Sequence, residues 1–77
     1  MNIGKSLQEH RERNGLSQTA LAQKTGIKQQ TISRWEADIT VPKITDCITL
    51  ALFYGISVDY LIGLENEDGT KMYDKRV

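Results

Sequence analysis

The sequence has few of the residues that cross-link small proteins, and it carries no excess of charge. Its 77 residues include one cysteine and one histidine, and its ten basic side chains equal its ten acidic ones in number. A single cysteine cannot close an internal disulfide, which fits the reducing cytoplasm where we expect the chain to act. One cysteine and one histidine also supply too few ligands for a structural zinc site, and we predict no cofactor.

Long apolar runs and catalytic groupings are absent as well. No apolar segment approaches the length of a membrane span, and no charged start followed by an apolar block suggests a signal peptide, so we expect no membrane partner. The sequence shows no paired acid and base, no activated nucleophile and no glycine-rich phosphate loop, which argues against an enzyme and against a small-molecule ligand. With 39% hydrophobic and 26% charged residues, the composition predicts one small globular domain.

Charge is distributed unevenly along the chain despite the neutral total. Residues 1–45 hold seven basic and four acidic side chains, a balance of +3, whereas residues 46–77 hold three basic and six acidic ones, a balance of −3. Opposite halves of this kind permit one basic face and one acidic face. In so small a sample, charge alone does not distinguish a nucleic-acid-binding protein from chance scatter.

Apolar spacing and glycine positions predict five helices, and no segment alternates for long enough to indicate a strand. The helices are expected at about residues 3–14, 18–25, 28–37, 44–54 and 58–62. Gly15, Gly26, Gly55 and Gly63 each follow one of them, where a left-handed residue commonly ends a helix. In the fourth helix, the inward positions are Ile44, Cys47, Ile48, Leu50, Ala51 and Tyr54.

The remaining positions complete this interpretation. Residues 1–63 form the predicted domain, and residues 64–77 form a short polar tail that is either loose or ordered in a dimer. His10 is expected to be a half-buried core residue, and Cys47 a small core hydrophobe. Asp38 lies in the loop after the third helix and is expected to adopt the left-handed conformation.

The second and third predicted helices meet the steric requirements of a helix-turn-helix that begins at Gln18. Four apolar residues fall where they lock the two helices together: Leu21, Ile27, Ile32 and Trp35. Ala22 is small where the second helix crosses closely, and Gly26 supplies the positive φ of a tight turn. The polar front of the next helix is what a helix needs if its N-terminal end is to enter the major groove of DNA.

These segments resemble the phage lambda-type repressor and Cro family, also called the Xre-type helix-turn-helix family. The resemblance covers about residues 3–63 and is carried by Leu16-Ser-Gln, Leu21-Ala22, Gly26-Ile27, Thr31-Ile-Ser-Arg-Trp-Glu36, Pro42, Leu50-Ala51 and Gly55-Ile-Ser-Val-Asp-Tyr-Leu-Ile-Gly63. It implies an all-α, compact five-helix domain that binds operator DNA, generally as a dimer. By the same resemblance, residues 28–37 form the recognition helix.

The resemblance also assigns base-reading positions. Gln29 and Gln30 align with the leading residues of the recognition helix, and glutamine can bond adenine N6 and N7, so A·T pairs are the first expectation. Ser33 and Arg34 come next along the face, and Arg34 is suited either to guanine or to a phosphate. Gln18 resembles a glutamine that bonds a phosphate and steadies the first recognition residue. The competing interpretation of the paired glutamines is a solvated helix surface.

Backbone contacts are expected from basic residues around that helix. Lys28 occupies a position where the family often has a Ser or Thr cap, and Lys43 replaces a common Ser after Pro42. Each lysine therefore gives up some helix stability and is suited to bind a phosphate. The alternative is a tolerated surface substitution. Arg11 and Glu36 match a family ion pair between the first helix and the end of the recognition helix, and Arg11 is a further candidate for a phosphate contact.

Leu52 falls opposite the core stripe of the fourth helix. With Val58, Leu61 and Ile62 it forms a possible dimer interface, although one exposed leucine is also common on monomers. We therefore predict a dimeric, sequence-specific transcriptional repressor on double-stranded, palindromic operator DNA. The alternative is a protein-interaction module of the antitoxin or anti-repressor type, which the zero net charge, the acidic C-terminal half and Leu52 favour.

Overall fold

Five α-helices follow one another along the part of the chain that the structure describes, and the predicted all-α class is confirmed. The computed structural model describes residues 2–66 and 68–70. The helices are α1 (Ile3–Arg13), α2 (Gln18–Thr25), α3 (Gln29–Glu36), α4 (Ile44–Tyr54) and α5 (Val58–Ile62). Helix α1 packs against α3 and α5, α2 packs against α3 and α4, and α4 also packs against α5. The helix-turn-helix pair therefore lies on a scaffold made by the other three helices.

The five helices begin in two different ways. Asn2, Ser17 and Ser57 cap α1, α2 and α5, and the side-chain oxygen of each accepts a backbone N–H at 2.9–3.0 Å. Lys28 and Lys43 precede α3 and α4 and make no side-chain cap hydrogen bond. The Asp46 carboxylate accepts the backbone N–H of Lys43 at 3.3 Å. This bond supports the start of α4, whereas the start of α3 has no side-chain cap hydrogen bond.

Two turns depend on unusual backbone. Gly26 ends α2 with φ 78°, as predicted, and a side chain there would strain the turn into α3. Asp38 has φ 59°, also as predicted, and its carboxylate accepts the backbone N–H of Gly4 at 3.3 Å. A Cβ atom at Gly4 would overlap the carbonyl oxygen of Trp35. The start of α1 therefore lies directly against the end of α3.

The core lies between the helices and is almost wholly apolar. Its buried members are Leu7, Leu21, Ile32, Trp35, Cys47, Leu50, Ala51 and Leu61. His10 is buried rather than half-buried as predicted, because its Nε2–H can donate to the Tyr60 carbonyl at 2.9 Å. The ring of His10 also lies edge-on to that of Tyr60, with centroids 4.7 Å apart. A satisfied structural histidine accounts for this position.

Helix α4 corrects two predictions about which side chains face inward. Ile44 is 65% exposed and Ile48 is 44% exposed, although both were expected in the core. The buried inner face of the helix consists of Cys47, Leu50 and Ala51, and Tyr54 packs against the core beside them. Helix α5 corrects another prediction, because Leu61 is 0% exposed and its side chain cannot form part of an interface.

Val58 and Ile62 are only partly buried and pack against the core. Beyond α5, the backbone N–H groups of Leu64 and Glu65 donate to the Asp59 carbonyl at 2.8 and 3.2 Å. Asn66 N–H then donates to the Thr70 carbonyl at 2.7 Å, which closes a turn. The apolar tail residues Met72, Tyr73 and Val77 lie outside the described residues, so the division of the chain at residue 63 stays a prediction.

Candidate nucleic-acid interface

The front of α3 is exposed, and its back is buried. Ile32 and Trp35 anchor the helix in the core, whereas Lys28, Gln29 and Gln30 are exposed at its N-terminal end. This division follows from the helical period, because residues three apart on α3 share a face. The surface that the sequence predicts to enter the major groove is therefore available to a ligand.

An ion pair fixes the far end of α3. Arg11 Nε and Nη2 donate to the two carboxylate oxygens of Glu36 at 2.7 and 2.9 Å, and Nη1 donates to the Leu16 carbonyl at 2.7 Å. The two side chains are only 11% and 6% exposed. The hydrogen bond to Glu36 raises the pKa of Arg11. A bidentate, largely buried pair of this kind holds α1 and α3 at one relative angle.

Gln18 connects that ion pair to the front of α3. Its Nε2–H donates to Glu36 Oε1 at 3.0 Å, and its Oε1 accepts from Gln29 Nε2 at 2.8 Å. A continuous hydrogen-bond chain therefore runs from Arg11 through Glu36 and Gln18 to Gln29. Gln18 holds Gln29, as the resemblance implies for the glutamine that steadies the first recognition residue. Phosphate contact by Gln18 stays a prediction.

The other predicted site residues differ in exposure. Lys43 and Arg34 are exposed, and Ser33 is half-buried. The loop after α3 is tied to that helix, because the N–H groups of Ile39 and Thr40 donate to the Arg34 carbonyl at 2.9 and 3.4 Å. Their base-reading and phosphate-binding roles stay predictions.

Sequence reasoning placed Tyr54 among the inward residues and gave its hydroxyl no role. Within the described part of the chain, the buried Tyr54 hydroxyl has no hydrogen-bond partner. Burial, the largest cause, raises the pKa of Tyr54 to about 12, while Arg11 lowers it and Glu36 raises it. The hydroxyl therefore lies within electrostatic reach of the ion pair. An inward aromatic position carries no sequence signal that could have shown this.

Other kinds of site are not found in the described residues. Across residues 2–66 and 68–70, no group of three or more His, Cys, Asp or Glu side chains could hold a metal ion. Within the same part of the chain, no helix is both long enough and apolar enough to cross a membrane.

Relatives of known name share this domain. The chain is 35% identical over 63 residues to the HTH-type transcriptional regulator ImmR of Bacillus subtilis (strain 168), which covers 82% of this chain and 50% of that protein. It is 31% identical over 71 residues to the uncharacterized HTH-type transcriptional regulator YobD of the same organism, and this match covers 92% of this chain and 63% of that protein. The chain thus spans between half and two thirds of the length of these relatives.

Solved structures show the same fold. The complex of the SinR protein with the SinI protein contains a chain that matches with a TM-score of 0.74 at 23% identity, covering 94% of this chain and 71% of that one. A transcriptional regulator from Listeria innocua matches with a TM-score of 0.72 at 22% identity, and this match covers 92% of this chain and 66% of that one. At this level of identity, the likeness is evidence for the fold.

A family model for the helix-turn-helix matches residues 7–61, which includes α2, α3 and the helices that support them. The five-helix architecture, the buried back and exposed front of α3, and two relatives named as transcriptional regulators agree with that match. The chain belongs to the helix-turn-helix family of the lambda-repressor-like (Xre) type, a family of transcriptional regulators with a DNA-binding fold.

Proposed function

We propose that this chain is a sequence-specific transcriptional repressor that binds a palindromic operator as a dimer in the cytoplasm. The observation that carries the proposal is the exposed front of α3, whose Gln29 is held by a hydrogen-bond chain that reaches a buried ion pair. A side chain fixed in this way needs little reordering when it meets a base edge, which favours specific binding.

Gln29 has the groups left over that adenine requires. One N–H of its amide donates to Gln18, so the other N–H and the Oε1 atom remain for a ligand. In the major groove, adenine presents an acceptor at N7 and a donor at N6, which match those two groups. Gln30, Ser33 and Arg34 extend the proposed reading surface, with Arg34 either reading guanine or contacting a phosphate.

Contacts to the DNA phosphates are assigned to residues at the edges of that surface. Lys28 and Lys43 place cations at helix N-termini that their side chains do not cap, where phosphate oxygens can bond the unpaired backbone N–H groups. Gln18 retains a second amide N–H for a phosphate. Arg11 already uses three of its N–H groups within the protein, so its proposed phosphate contact depends on the remaining ones.

Two copies would insert their α3 helices into successive major grooves about 34 Å apart and read half-sites one helical turn apart. Occupying a promoter in this way represses transcription by excluding other proteins, and it requires no chemistry. Both named relatives are transcriptional regulators, which supports the regulatory part of the proposal.

A second candidate is a protein-interaction module of the antitoxin or anti-repressor type. It is favoured by the exposed apolar side chains of α4 and by the solved neighbour, in which the SinR protein is in a complex with the SinI protein. The two candidates differ in salt dependence. Binding to DNA by phosphate contacts weakens steeply as salt rises, because counterions are released, and a module that binds only protein shows no such slope on DNA.

The test begins with selection of bound sites from a random DNA pool, which yields half-site, spacing and symmetry together. On the selected operator, Gln29→Ala should lose about 1–3 kcal/mol of binding free energy and relax the preference at one base pair. Lys43→Ala should weaken binding to all sequences alike and flatten the salt dependence. Gln23→Ala, at an exposed position of α2, serves as the matched control. Equal losses from the Gln29 and Lys43 variants on every sequence would refute this division of roles.

A further inference from the structure

Helix α4 has an outer face without a single charged side chain. The face consists of the exposed residues of the helix: Ile44, Thr45, Ile48, Thr49, Leu52 and Phe53. The opposite side of the helix is buried in the core, and Asp46 in the first turn is its one charged residue. A helix that is apolar on both sides is normally covered on both sides. We refer to these six residues as the α4 outer face.

We infer that the α4 outer face is the dimer interface and that it packs against the same face of a second copy of this chain. The inference rests on the proposed function, since it names the surface that would join the two DNA-binding copies. It also replaces the interface expected from the sequence, of which Leu61 is buried and Leu52 alone is strongly exposed.

The exposed area of this face is what a modest dimer needs. Ile44, Ile48, Leu52 and Phe53 are 65%, 44%, 78% and 40% exposed. Taking roughly 150–200 Å² for a large side chain, they present about 400 Å² of apolar surface. Interfaces are about 56–65% apolar, so this corresponds to about 600–700 Å² per partner. The total of about 1,200–1,400 Å² lies at the lower end of specific, stable interfaces.

The arrangement of the face favours a second copy over an unrelated partner. Ile44, Ile48 and Leu52 form a row with a spacing of four residues, about 12 Å long, which is the kind of ridge that packs against an identical ridge on another helix. Ile48 lies at the centre of the row, where two such helices cross. Where a two-fold axis passes through such a contact, a residue close to the axis lies next to its own counterpart, so a charge there would meet a like charge.

The proposed phosphate contact of Lys43 fixes the direction of α4 in each of the two copies. If Lys43 binds a phosphate, the N-terminus of α4 points at the duplex in each copy. Two copies on one duplex then pack with their α4 helices pointing the same way, and Ile44, Ile48 and Leu52 lie near their own counterparts. A charge in this row would then meet the like charge of the other copy, and none of the six residues of the α4 outer face is charged.

The first test is sedimentation of the full chain over a range of concentrations. The wild type should show a monomer–dimer equilibrium, with a dissociation constant of about 1–100 µM for an interface of this size. Leu52→Glu should weaken self-association by about tenfold or more, because two buried carboxylates would face each other. Gln23→Glu adds the same charge to α2 and should leave the equilibrium unchanged. Thermal unfolding checks that each variant remains folded, and Ile44→Glu repeats the test on the same row.

The second test uses DNA containing one or two half-sites. Leu52→Glu should bind a single half-site as the wild type does and lose about tenfold or more in affinity for the two-half-site operator. A wild-type chain that stays monomeric up to about 100 µM and on the operator, or a Leu52→Glu variant that dimerises normally, would overturn the inference. A wild-type chain that dimerises through this face but binds no DNA would overturn the proposed function and leave the interface standing.

Discussion

Helices α2 and α5 begin with a serine whose hydroxyl caps the first turn, whereas α3 and α4 begin with a lysine that does not. A serine cap stabilises a helix by about 1 kcal/mol, and a cation at the same end opposes the helix dipole by a few tenths to about 1 kcal/mol. The two lysine-led helices are the ones whose N-termini we place against phosphates. Under the proposed function, these two helix ends give up some stability in return for a charge that contacts the DNA.

Helix α3 shows what compensates for the missing cap. It has only eight residues, too few for a stable isolated helix. Ile32 and Trp35 bury its back, and Glu36 joins its end to Arg11. Tertiary contacts therefore do for α3 what the hydroxyl of Ser17 does locally for α2. Each of the following variants tests one part of this comparison.

The largest effect is expected from Arg11→Met, which removes the tertiary support. The Glu36 carboxylate would be left buried without its cation, and the free energy of unfolding should fall by about 3–5 kcal/mol. Chemical denaturation measures the loss, with Lys24→Met as the control for removing one exposed cation. The double variant Arg11→Met with Glu36→Leu should regain most of the stability, and a double variant as unstable as the single one would contradict this explanation.

Ser17→Ala should show the ordinary contribution of a cap. The Ala20 N–H loses its partner at 3.0 Å, so the free energy of unfolding should fall by about 1 kcal/mol. DNA affinity should change little when measured well below the unfolding temperature. A loss below a few tenths of a kcal/mol would mean that tertiary contacts hold α2 as they hold α3.

Lys28→Ser makes the opposite change at the start of α3. A hydroxyl cap is gained and an unfavourable cation is removed, so stability should rise by about 1 kcal/mol or somewhat more. Affinity should fall alike on cognate and unrelated DNA, and the salt slope should decrease by about one phosphate contact. Paired unfolding and DNA titrations measure both effects. A more stable variant with unchanged DNA binding would show that Lys28 is a tolerated surface substitution.

Tyr54→Phe is expected to have the smallest effect at neutral pH. It removes a buried hydroxyl that has no hydrogen-bond partner within the described residues, so stability should stay the same or rise by up to about 1 kcal/mol. At high pH the two proteins should separate. The pKa of Tyr54 is about 12 in the folded chain and about 10 unfolded, so wild-type stability falls as pH rises from 10 towards 12. Phenylalanine lacks that titration, so chemical denaturation at pH values from 9 to about 11 should show a smaller decline for the variant. Equal declines in the two proteins would contradict this explanation.

Local sequence signals predicted the turns well. Gly26 and Asp38 were expected in the left-handed region because of their residue types and positions, and the structure has both there. The Arg11–Glu36 pair was also predicted, through resemblance to a family. By contrast, the close approach of Gly4 to Trp35 joins residues that are distant in sequence, and the local sequence around either residue does not predict this contact.

Helix α4 was harder for a physical reason. Its residues are apolar on both faces, so hydrophobic periodicity could not distinguish Ile44 and Ile48 from the truly buried Cys47 and Leu50. The same limit applied to the short α5, where Leu61 was assigned outward. For the candidate DNA interface, the sequence predicted the individual residues but not the hydrogen bonds between them. The hydrogen bonds that join Gln18 to Gln29 and Glu36 depend on side-chain geometry that spacing alone does not give.

The chain of hydrogen bonds from Glu36 to Gln29 has a direction. An ionised carboxylate only accepts, so Gln18 turns its NH₂ group inward and its oxygen towards Gln29, whose own oxygen is left for the DNA. If a donor stood at residue 36, both amides would turn over. Gln29 would then offer two N–H groups, which suit the paired acceptors of guanine rather than adenine. Under the proposed function, Glu36 influences which base is recognised although it does not itself contact the DNA. The operator sequence and the protein interior would then have to evolve together.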